Sequence, residues 1–321
     1  MSKLLGESCM ITTLAGGVGA AKLIDGLSSI VPPEELTIIV NTGDDCEFHG
    51  LHISPDLDII TYTLAGLVDE EKGWGIKNDT FNCLEMLEAY GHDTWFRLGD
   101  RDLATHIHRT MMLRSGYKLS EVTKDICAKL RIKQRIIPMT DDYFATKIKT
   151  DTGIIHFQEY LVKRGAVDVV HGIVYDGVEG AKPAPGVIES IMDAKVVIVC
   201  PSNPLVSIGT ILAIKGVRQV LRETKAKKIA VSPIIGGTVV KGPADKMMRY
   251  LGIEVSALGV AKLYSDFLDI FVMDEVDAPL VHEVEKLGIK AVVTNTLMKT
   301  KDDRIRLAKF VLDVASVYKK A

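Results

Sequence analysis

The feature of this sequence that most restricts its fold is a glycine-rich turn between two β patterns near the N-terminus. Met10–Leu14 is short and β-prone, the turn Gly16–Gly19 follows it, and Ala20–Ile30 has helical spacing. Leu36–Val40 is a continuous apolar run, which is typical of a strand covered on both faces. A strand, a turn, a helix and a second strand within about 30 residues form a βαβ unit. The sequence therefore predicts a parallel sheet.

The alternation of strands and helices returns in the second half of the chain. Residues 57 to about 131 have helical spacing, Phe144–Lys149 and Ile154–Tyr160 have the pattern of a β-hairpin, and residues 165–190 have no regular pattern. Further strands and a last helix are predicted at Lys195–Cys200, Lys228–Val231, Leu268–Val272, Lys290–Val293 and Arg304–Tyr318.

We therefore predict an α/β fold, a three-layer αβα, Rossmann-like domain with a mostly parallel sheet. Residues 1–9 are expected to form an N-terminal extension, and residues 10–321 a single α/β domain. We expect that domain to carry an inserted, mainly helical cap around residues 66–165, together with the β-hairpin.

Composition narrows the class of protein further. The chain has 321 residues, of which 47% are hydrophobic and 25% charged, as in an ordinary globular protein. Its 39 basic and 42 acidic side chains give a net charge of −3, which argues against sequence-blind binding of nucleic acid. No apolar run approaches the ~20 residues that cross a bilayer, and the five cysteines include no CxxC pair. We expect a cytoplasmic protein that binds neither nucleic acid nor membranes.

The glycine turn is the first candidate binding site. Gly16, Gly17 and Gly19 stand where the first helix begins, so their backbone N–H groups and the helix dipole favour a phosphate group there. Lys22, one turn into the helix, adds a positive charge. The motif is neither a Walker A loop nor a full dinucleotide fingerprint, so the same residues also suit a tight turn that binds nothing.

A second turn of this kind follows Lys195–Cys200. Ser202 and Asn203 are typical N-cap residues, and Pro204 suits the first turn of a helix. Because the carboxyl ends of parallel strands meet at one edge of a sheet, we expect Ser202 and Asn203 near the glycine turn, as further phosphate ligands. The alternative is a well-capped helix without a ligand.

Acidic residues follow the second predicted strand. Asp44, Asp45, Asp56 and Asp58 lie within 15 residues of one another. Four carboxylates close to a phosphate site repel one another unless a cation offsets their charge, and Mg²⁺ binds through one or two carboxylates plus substrate phosphates. The pattern predicts contact with a metal ion or substrate for at least two of the four. Alternatively, Asp56 or Asp58 caps the helix that follows.

A segment rich in arginine and aspartate, Trp95–His106, is the third candidate. Arg97 and Arg101 are bracketed by aspartates on a glycine turn that enters a helix. Two such arginines suit an anion clamp, but an internal network of arginine and aspartate is an equally good interpretation. We expect His108 and Arg109 to lie on the exposed face of the same helix.

Seven short segments of this sequence resemble those of the 2-phospho-L-lactate transferases (LPPG:Fo transferases) of factor-420 biosynthesis. The resemblance runs from Met10 to the C-terminus and implies a single αβα domain, a homodimer and dependence on Mg²⁺. The segments that carry it are LAGGVGAAK (14–22), NTGDD (41–45), HGLHISPDLD (49–58), KGWG (72–75), WFRLGDRDLATH (95–106), PSNPLVSIG (201–209) and SPIIGG (232–237).

The resemblance also implies a reaction. The phospholactyl group of lactyl-2-diphospho-5′-guanosine (LPPG) moves to the ribityl hydroxyl of 7,8-didemethyl-8-hydroxy-5-deazariboflavin (Fo), with GMP as the second product. By motif, Asp58 and Arg97 match the family's Fo contacts, and Asp44, Asp45 and Asp56 fall where magnesium and the diphosphate would be held. Asp58 and Asp45 are the candidates for orienting the Fo hydroxyl, and hence the candidate catalytic residues.

Two other classes of protein share parts of this pattern. A non-catalytic sugar-nucleotide-binding regulator also has a glycine loop followed by an acidic loop, but it is not expected to keep the WFRLGDRD segment. A nicotinamide-dependent oxidoreductase is disfavoured because the second strand ends in NTGDD instead of a single ribose-binding acid. These alternatives predict no transfer activity and a different reaction, respectively.

Overall fold

The structure, a computed structural model, describes residues 9–315. The β-strands are β1 (Ile11–Ala15), β2 (Leu36–Val40), β3 (Cys46–Phe48), β4 (Leu51–Ile53), β5 (Arg135–Pro138), β6 (Ala145–Thr150), β7 (Gly153–His156), β8 (Gly172–Asp176), β9 (Val196–Val199), β10 (Lys227–Val231), β11 (Ile234–Ile235), β12 (Thr238–Val239), β13 (Ile270–Met273) and β14 (Lys290–Val293).

The helices follow the strands closely along the chain. The α-helices are α1 (Gly17–Ser28), α2 (Pro55–Leu64), α3 (Asn82–Ala89), α4 (Asp100–Arg114), α5 (Leu119–Lys129), α6 (Val187–Met192), α7 (Ile208–Ala213), α8 (Val217–Glu223), α9 (Ala244–Tyr250), α10 (Ala257–Tyr264), α11 (Val281–Glu285) and α12 (Lys301–Val314). Among the described residues, no helix is both long and apolar enough to cross a membrane.

Seven parallel strands form the main sheet, in the order β14-β13-β10-β9-β1-β2-β5. From β1 the chain runs outward on one side through β2 to β5, and then returns to the other side of β1 to add β9. The strand order therefore reverses between β1 and β9, and loops at the carboxyl ends of these two strands frame the crevice where α/β proteins of this type bind ligands. The predicted Rossmann-like fold is confirmed.

Alternation along each strand places apolar side chains on both faces of the sheet. In β1, Ile11 and Ala15 pack with helices α1, α2 and α12 on one face, whereas Leu14 packs with α6, α7, α8 and α10 on the other. Strands covered on both faces are apolar throughout, which explains the continuous run of β2. These two cores make the three layers of the predicted αβα fold.

Three small antiparallel sheets lie outside the main sheet. The predicted hairpin is confirmed as β6 and β7, but its second strand ends at His156, since residues 157–163 are helical, and a third strand, β8, pairs with β6. We expected no regular structure over residues 165–190, so that prediction is wrong at Gly172–Asp176 and from Val187 onward, where α6 begins. The sequence GIVYD of β8 is half-buried along its whole length, because it is an edge strand. It therefore lacks both the continuous apolar run and the clean alternation that would have marked it as a strand.

The predicted cap insertion around residues 66–165 contains a strand of the main sheet. Strand β5 pairs in parallel with β2, Ile136 opposite Ile38, at the edge of the sheet. Its four residues include only two buried isoleucines between Arg135 and Pro138, too short a run to show periodicity. Helices α2 to α5 precede β5, so the helical part of this region ends before it. Residues 1–8 of the predicted extension and the predicted helix end at Tyr318 lie outside the described residues.

Candidate functional site

A cavity of about 760 Å³ opens at the carboxyl edge of the main sheet, beside the point where the strand order reverses. Its walls come from the loops after β1, β2, β9 and β10 and from the start of α2 and α4. Asp45 is not among the residues that line it. The predicted site residues that line it are Gly16, Gly17, Gly19, Asp44, Asp56, Asp58, Arg97, Ser202 and Asn203.

The glycine turn is bonded to its neighbours inside the protein. The N–H of Gly16 donates to Oγ of Ser202 at 3.3 Å, and the N–H of Gly17 donates to Oδ1 of Asp56 at 2.9 Å. Gly17 has φ of 72°, which favours glycine. The Asp56 carboxylate thus stands at the N-terminus of α1, where a helix favours a negative charge. Two of the three glycine N–H groups that we predicted for phosphate, those of Gly16 and Gly17, therefore already have protein acceptors.

Close packing is a second reason for glycine in this turn. A Cβ atom on Gly19 would lie 2.2 Å from the carbonyl oxygen of Pro201, and one on Gly16 would lie 2.5 Å from Oδ2 of Asp56. Real Cβ atoms do not approach other atoms so closely. Gly19 therefore lets the loop after β1 lie against the loop after β9, and Gly16 lets it lie against Asp56 of α2. Asn203 also serves this loop, since its Oδ1 accepts from the N–H groups of Leu205 and Val206.

Burial raises the pKa of two carboxyl groups at the cavity. Asp56 accepts a second hydrogen bond, from Nδ2 of Asn41 at 2.9 Å, yet burial still raises its pKa to about 6. Burial, with Asp56 nearby, raises the pKa of Asp44 well above its ordinary value. Carboxyl groups of this kind are costly to ionise unless a positive charge comes close.

Two carboxylate oxygens at the acidic loop have no hydrogen-bond partner among residues 9–315. These are Oδ1 of Asp44 and Oδ1 of Asp45, both buried. The other oxygen of Asp45 accepts from Oγ of Ser54 at 2.7 Å and contacts Nε2 of His52 at 2.9 Å. Within residues 9–315, no group of three or more His, Cys, Asp or Glu side chains is arranged to enclose a metal ion.

Asp58 is paired with an arginine that we expected to be exposed. Arg109 donates from Nη1 to Oδ2 of Asp58 at 3.1 Å and from Nη2 to Oδ1, a bidentate pair. Arg109 is 2% exposed and Asp58 is 6% exposed. The expectation that Arg109 lies on the exposed face of α4 is therefore wrong, whereas His108 is half-exposed and contacts Asp125. The carboxylate of Asp58 faces Arg109 across the interface of α2 and α4, which the pattern of α4 alone does not show.

The same face of α4 carries further polar side chains that the sequence analysis did not single out. His106 lies with Nδ1 3.2 Å from Nη1 of Arg109 and with Nε2 3.3 Å from Oδ1 of Asp102. The hydroxyl of Tyr62 donates to that same oxygen at 2.7 Å. Asp102, His106 and Arg109 stand at positions i, i+4 and i+7, which share one helix face, and this spacing was the available signal.

Aromatic side chains line another part of the cavity. Trp95 and Phe96 both line it, and their rings meet edge to face at 5.7 Å. Phe48 packs against Trp95 at 5.1 Å. The exposed guanidinium of Arg97 lies over the ring of Phe81, 4.6 Å from its centre. A planar ring system can stack on such a surface.

Basic side chains complete the lining. Lys22 of α1 and Lys241 of the loop after β12 line the cavity, and no carboxylate of the described residues forms a salt bridge with either. Partial burial lowers the pKa of both ammonium groups, and Lys22 adds to the effect at Lys241. Nζ of Lys241 donates to the carbonyl oxygen of Lys72 at 2.9 Å. Cations without a protein counter-ion suit an anionic ligand.

Comparison with known proteins gives the same family that the sequence segments resemble. The family model described as 2-phospho-L-lactate transferase CofD matches residues 11–310. The chain is 45% identical to a phosphoenolpyruvate transferase of Streptomyces griseus, over 95% of this chain and 98% of that one. It is 42% identical to a 2-phospho-L-lactate transferase of Methanocaldococcus jannaschii, over 95% and 97%, and 44% identical to one of Methanosarcina mazei, over 93% and 98%.

The fold also has a counterpart among solved structures. A crystal structure of a UPF0052 family protein from Bacillus halodurans superposes with a TM-score of 0.63 at 15% identity, over 95% of this chain and 99% of that chain. This likeness supports the fold alone. The family match spans nearly all the described residues and includes every element that lines the cavity. The chain therefore belongs to the 2-phospho-L-lactate transferase (CofD) family, a family of enzymes that transfer phosphorus-containing groups.

Proposed function

We propose that the protein transfers the 2-phospho-L-lactyl group of LPPG to the ribityl hydroxyl of Fo, giving the glutamate-free deazaflavin coenzyme and GMP. The observation that carries the proposal is a single cavity lined both by unpaired lysines and by aromatic rings. Lys22 and Lys241 suit the diphosphate, whereas Trp95 and Phe96 suit the ring system. Its volume of about 760 Å³ lies in the upper part of the ~300–1,000 Å³ range of ligand sites, as two substrates together require.

The chemistry of the transfer fits the residues present. The ribityl oxygen forms a bond to the phosphorus atom that carries lactate, the bond from that phosphorus to the bridging oxygen breaks, and GMP leaves while the hydroxyl proton is released. Such a transfer requires positioning and neutralisation of charge more than a nucleophile on the protein. Asp58 lines the cavity and accepts the hydrogen bond of the hydroxyl, so it orients the acceptor. Asp45 does not line the cavity, and we assign it no contact with the acceptor.

The acidic loop is the place for magnesium in this proposal. The unpartnered Oδ1 atoms of Asp44 and Asp45, and the raised pKa of Asp44, fit a site that is completed by a cation. We assign the metal contacts to Asp44 and Asp45, and not to Asp56, because each oxygen of Asp56 already accepts one hydrogen bond, whereas Oδ1 of Asp44 and of Asp45 accepts none from the described residues. Mg²⁺ binds through few carboxylates and several other oxygens, and when bound it neutralises charge that develops on the phosphate oxygens.

The identity of the donor is the finer part of the proposal. The relatives named phosphoenolpyruvate transferase and those named 2-phospho-L-lactate transferase are similar to this chain to nearly the same degree. Overall identity therefore does not separate a lactyl from an enolpyruvyl group. We favour the phospholactyl donor on the resemblance of the cavity segments.

The test is a transfer assay with both donors. Purified protein is incubated with Fo, Mg²⁺ and either LPPG or its enolpyruvyl analogue, and GMP release and the mass of the deazaflavin product are followed. We expect GMP and the phospholactylated product, and a loss of about 100-fold in Asp58→Asn. Asp277→Asn, which changes a buried aspartate outside the cavity, is the matched control. Release of no GMP with either donor by the wild-type protein would overturn the proposal.

We also propose that the protein is a homodimer, as the family resemblance implies, and that it acts in the cytoplasm, as its apolar pattern led us to expect. Sedimentation equilibrium of the purified protein measures the first point, and a monomer mass would contradict it. Fractionation of the source cells measures the second. Neither point enters the assignment of the cavity residues.

A further inference from the structure

We propose that Arg109 and His106 are positioning residues for the transfer, because together they hold the Asp58 carboxylate in one orientation toward the acceptor. The inference rests on the proposed function, in which Asp58 receives the ribityl hydroxyl. It concerns one side chain that does not line the cavity, Arg109, and one that does, His106, and both lie beside the carboxylate of Asp58.

The first observation is the geometry of the Arg109 fork. The guanidinium donates to both oxygens of Asp58, which lines the cavity, whereas Arg109 itself does not line it. Each carboxylate oxygen has two acceptor positions, and a bidentate arginine uses one on each. The remaining positions stay available for a ligand. A planar fork fixes the rotation of the carboxylate, which a single point charge cannot do.

The second observation is the place of His106 beside this pair. A guanidinium has no acceptor, so Nδ1 of His106 accepts from Nη1 of Arg109 at 3.2 Å. Nε2 of His106 lies 3.3 Å from Oδ1 of Asp102, and it makes no hydrogen bond with the described residues. Tyr62 donates to the same oxygen. His106 is 1% exposed, so its ring is held by burial and through Nδ1, and it in turn limits where Arg109 can lie.

The third observation is that one rigid element supplies these groups. Asp102, His106 and Arg109 lie on one face of α4, a helix of 15 residues. The same helix holds the neighbouring strand, since Oγ1 of Thr110 accepts from the N–H of His52 at 2.8 Å. Side chains that start from a helix and are bonded at both ends hold a functional group more closely than side chains on a loop do.

The test compares two arginine-to-lysine variants on the same helix. Arg109→Lys keeps the charge and loses the fork, so we expect kcat to fall about 10- to 100-fold while KM for the guanylylated donor changes less than about threefold. Arg114→Lys is the matched control, because Arg114 is exposed and donates to the carbonyl oxygen of Gly50, outside the cavity lining. It should keep kcat within about twofold. Thermal unfolding of both variants is measured alongside.

A double-mutant cycle separates positioning from a purely structural role. If Arg109 acts through Asp58, Arg109→Lys causes no further loss of kcat in the Asp58→Asn background. Losses that multiply would overturn the inference, as would a loss seen only in donor KM. Should Arg109→Lys not fold, His106→Gln serves as the second variant. His106→Gln should lower kcat several-fold in the wild-type background and cause no further loss in the Asp58→Asn background. An unchanged kcat would overturn the inference.

The outcomes also distinguish this inference from the proposed function. Absence of transfer by the wild-type protein refutes the proposed function. An active wild type with a fully active Asp58→Asn variant refutes the role of Asp58, and with it the inference. An active wild type, an impaired Asp58→Asn variant and an Arg109→Lys variant equal to Arg114→Lys refute only the role of Arg109.

Discussion

The backbone N–H of Gly17 donates to Oδ1 of Asp56 at 2.9 Å, across 39 positions of sequence. This bond joins the glycine turn after β1 to the first turn of α2. It places a carboxylate where a helix N-terminus would otherwise attract an external anion. In the proposed function, Lys22 and Lys241, which line the same cavity, supply counter-charges for the phosphate groups of the donor.

The buried Asp56 carboxyl makes stability depend on pH. Burial raises the pKa of Asp56 to about 6, so the folded protein holds this proton more tightly than the unfolded chain does. The contribution is therefore present below about pH 4 and is lost as pH rises through about 6, on the order of 3 kcal/mol in the free energy of unfolding. We expect urea unfolding in a chelating buffer to show this decline, and Asp56→Asn to flatten it in part, since Asp44 acts in the same direction. Equal slopes in wild type and variant would contradict the assignment.

Gly19 is predicted to be needed for packing. In Gly19→Ala the new methyl group would meet the carbonyl oxygen of Pro201, so we expect a loss of about 1–3 kcal/mol in the free energy of unfolding. Gly180→Ala is the control, because its Cβ would lie 3.8 Å from the nearest atom, the carbonyl oxygen of Gly177. Denaturant unfolding measures both. A stable Gly19→Ala protein with weakened donor binding would instead favour direct contact with phosphate.

Lys22 is predicted to bind the donor. Removing its ammonium group in Lys22→Ala takes away one charge-assisted contact worth about 1.4 kcal/mol, so KM for LPPG should rise about tenfold. The KM for Fo should stay the same. Steady-state kinetics with each substrate varied in turn gives both values, and Lys133→Ala, which changes an exposed lysine outside the cavity, is the control. An equal rise in both KM values would argue for a general disturbance of the cavity.

Asp44 is predicted to set the requirement for magnesium. Its Oδ1 atom has no hydrogen-bond partner in the part of the chain that the structure describes, so Asp44→Asn should raise the Mg²⁺ concentration for half-maximal transfer by about tenfold or more. Calorimetric titration of Mg²⁺ in the presence of GDP provides a readout besides activity. Asp277→Asn is again the control for a buried aspartate. An unchanged magnesium requirement would remove Asp44 from the ligand set.

Arg97 is predicted to contact the acceptor without supporting the fold. It is exposed, lines the cavity and lies over the ring of Phe81. We expect Arg97→Gln to raise KM for Fo about tenfold and to leave the melting temperature unchanged. Binding of Fo, followed by its visible absorbance, gives an independent measure. A variant with normal Fo affinity would show that the guanidinium does not reach the acceptor.

The sequence by itself was enough to predict the architecture and the edge of the sheet that carries the site. Apolar runs such as Leu36–Val40 and Val196–Val199 are local signals, because a strand covered on both faces must be apolar along its length. The glycine turn and the acidic loop follow strands directly, and parallel strands bring such loops to one edge. Gly17 and Asp58 indeed line one cavity, as the proposed site requires.

Only the tertiary structure decided which groups meet there. Arg109 reaches Asp58 across 51 positions, and the N–H of Gly16 reaches Ser202 across 186. No local pattern contains these pairs, because they depend on how α4 packs beside α2 and on which strands flank β1. Helical periodicity shows which residues share a face, but the packing of the neighbouring elements decides whether that face is exposed, as we wrongly expected for Arg109, or buried against a carboxylate.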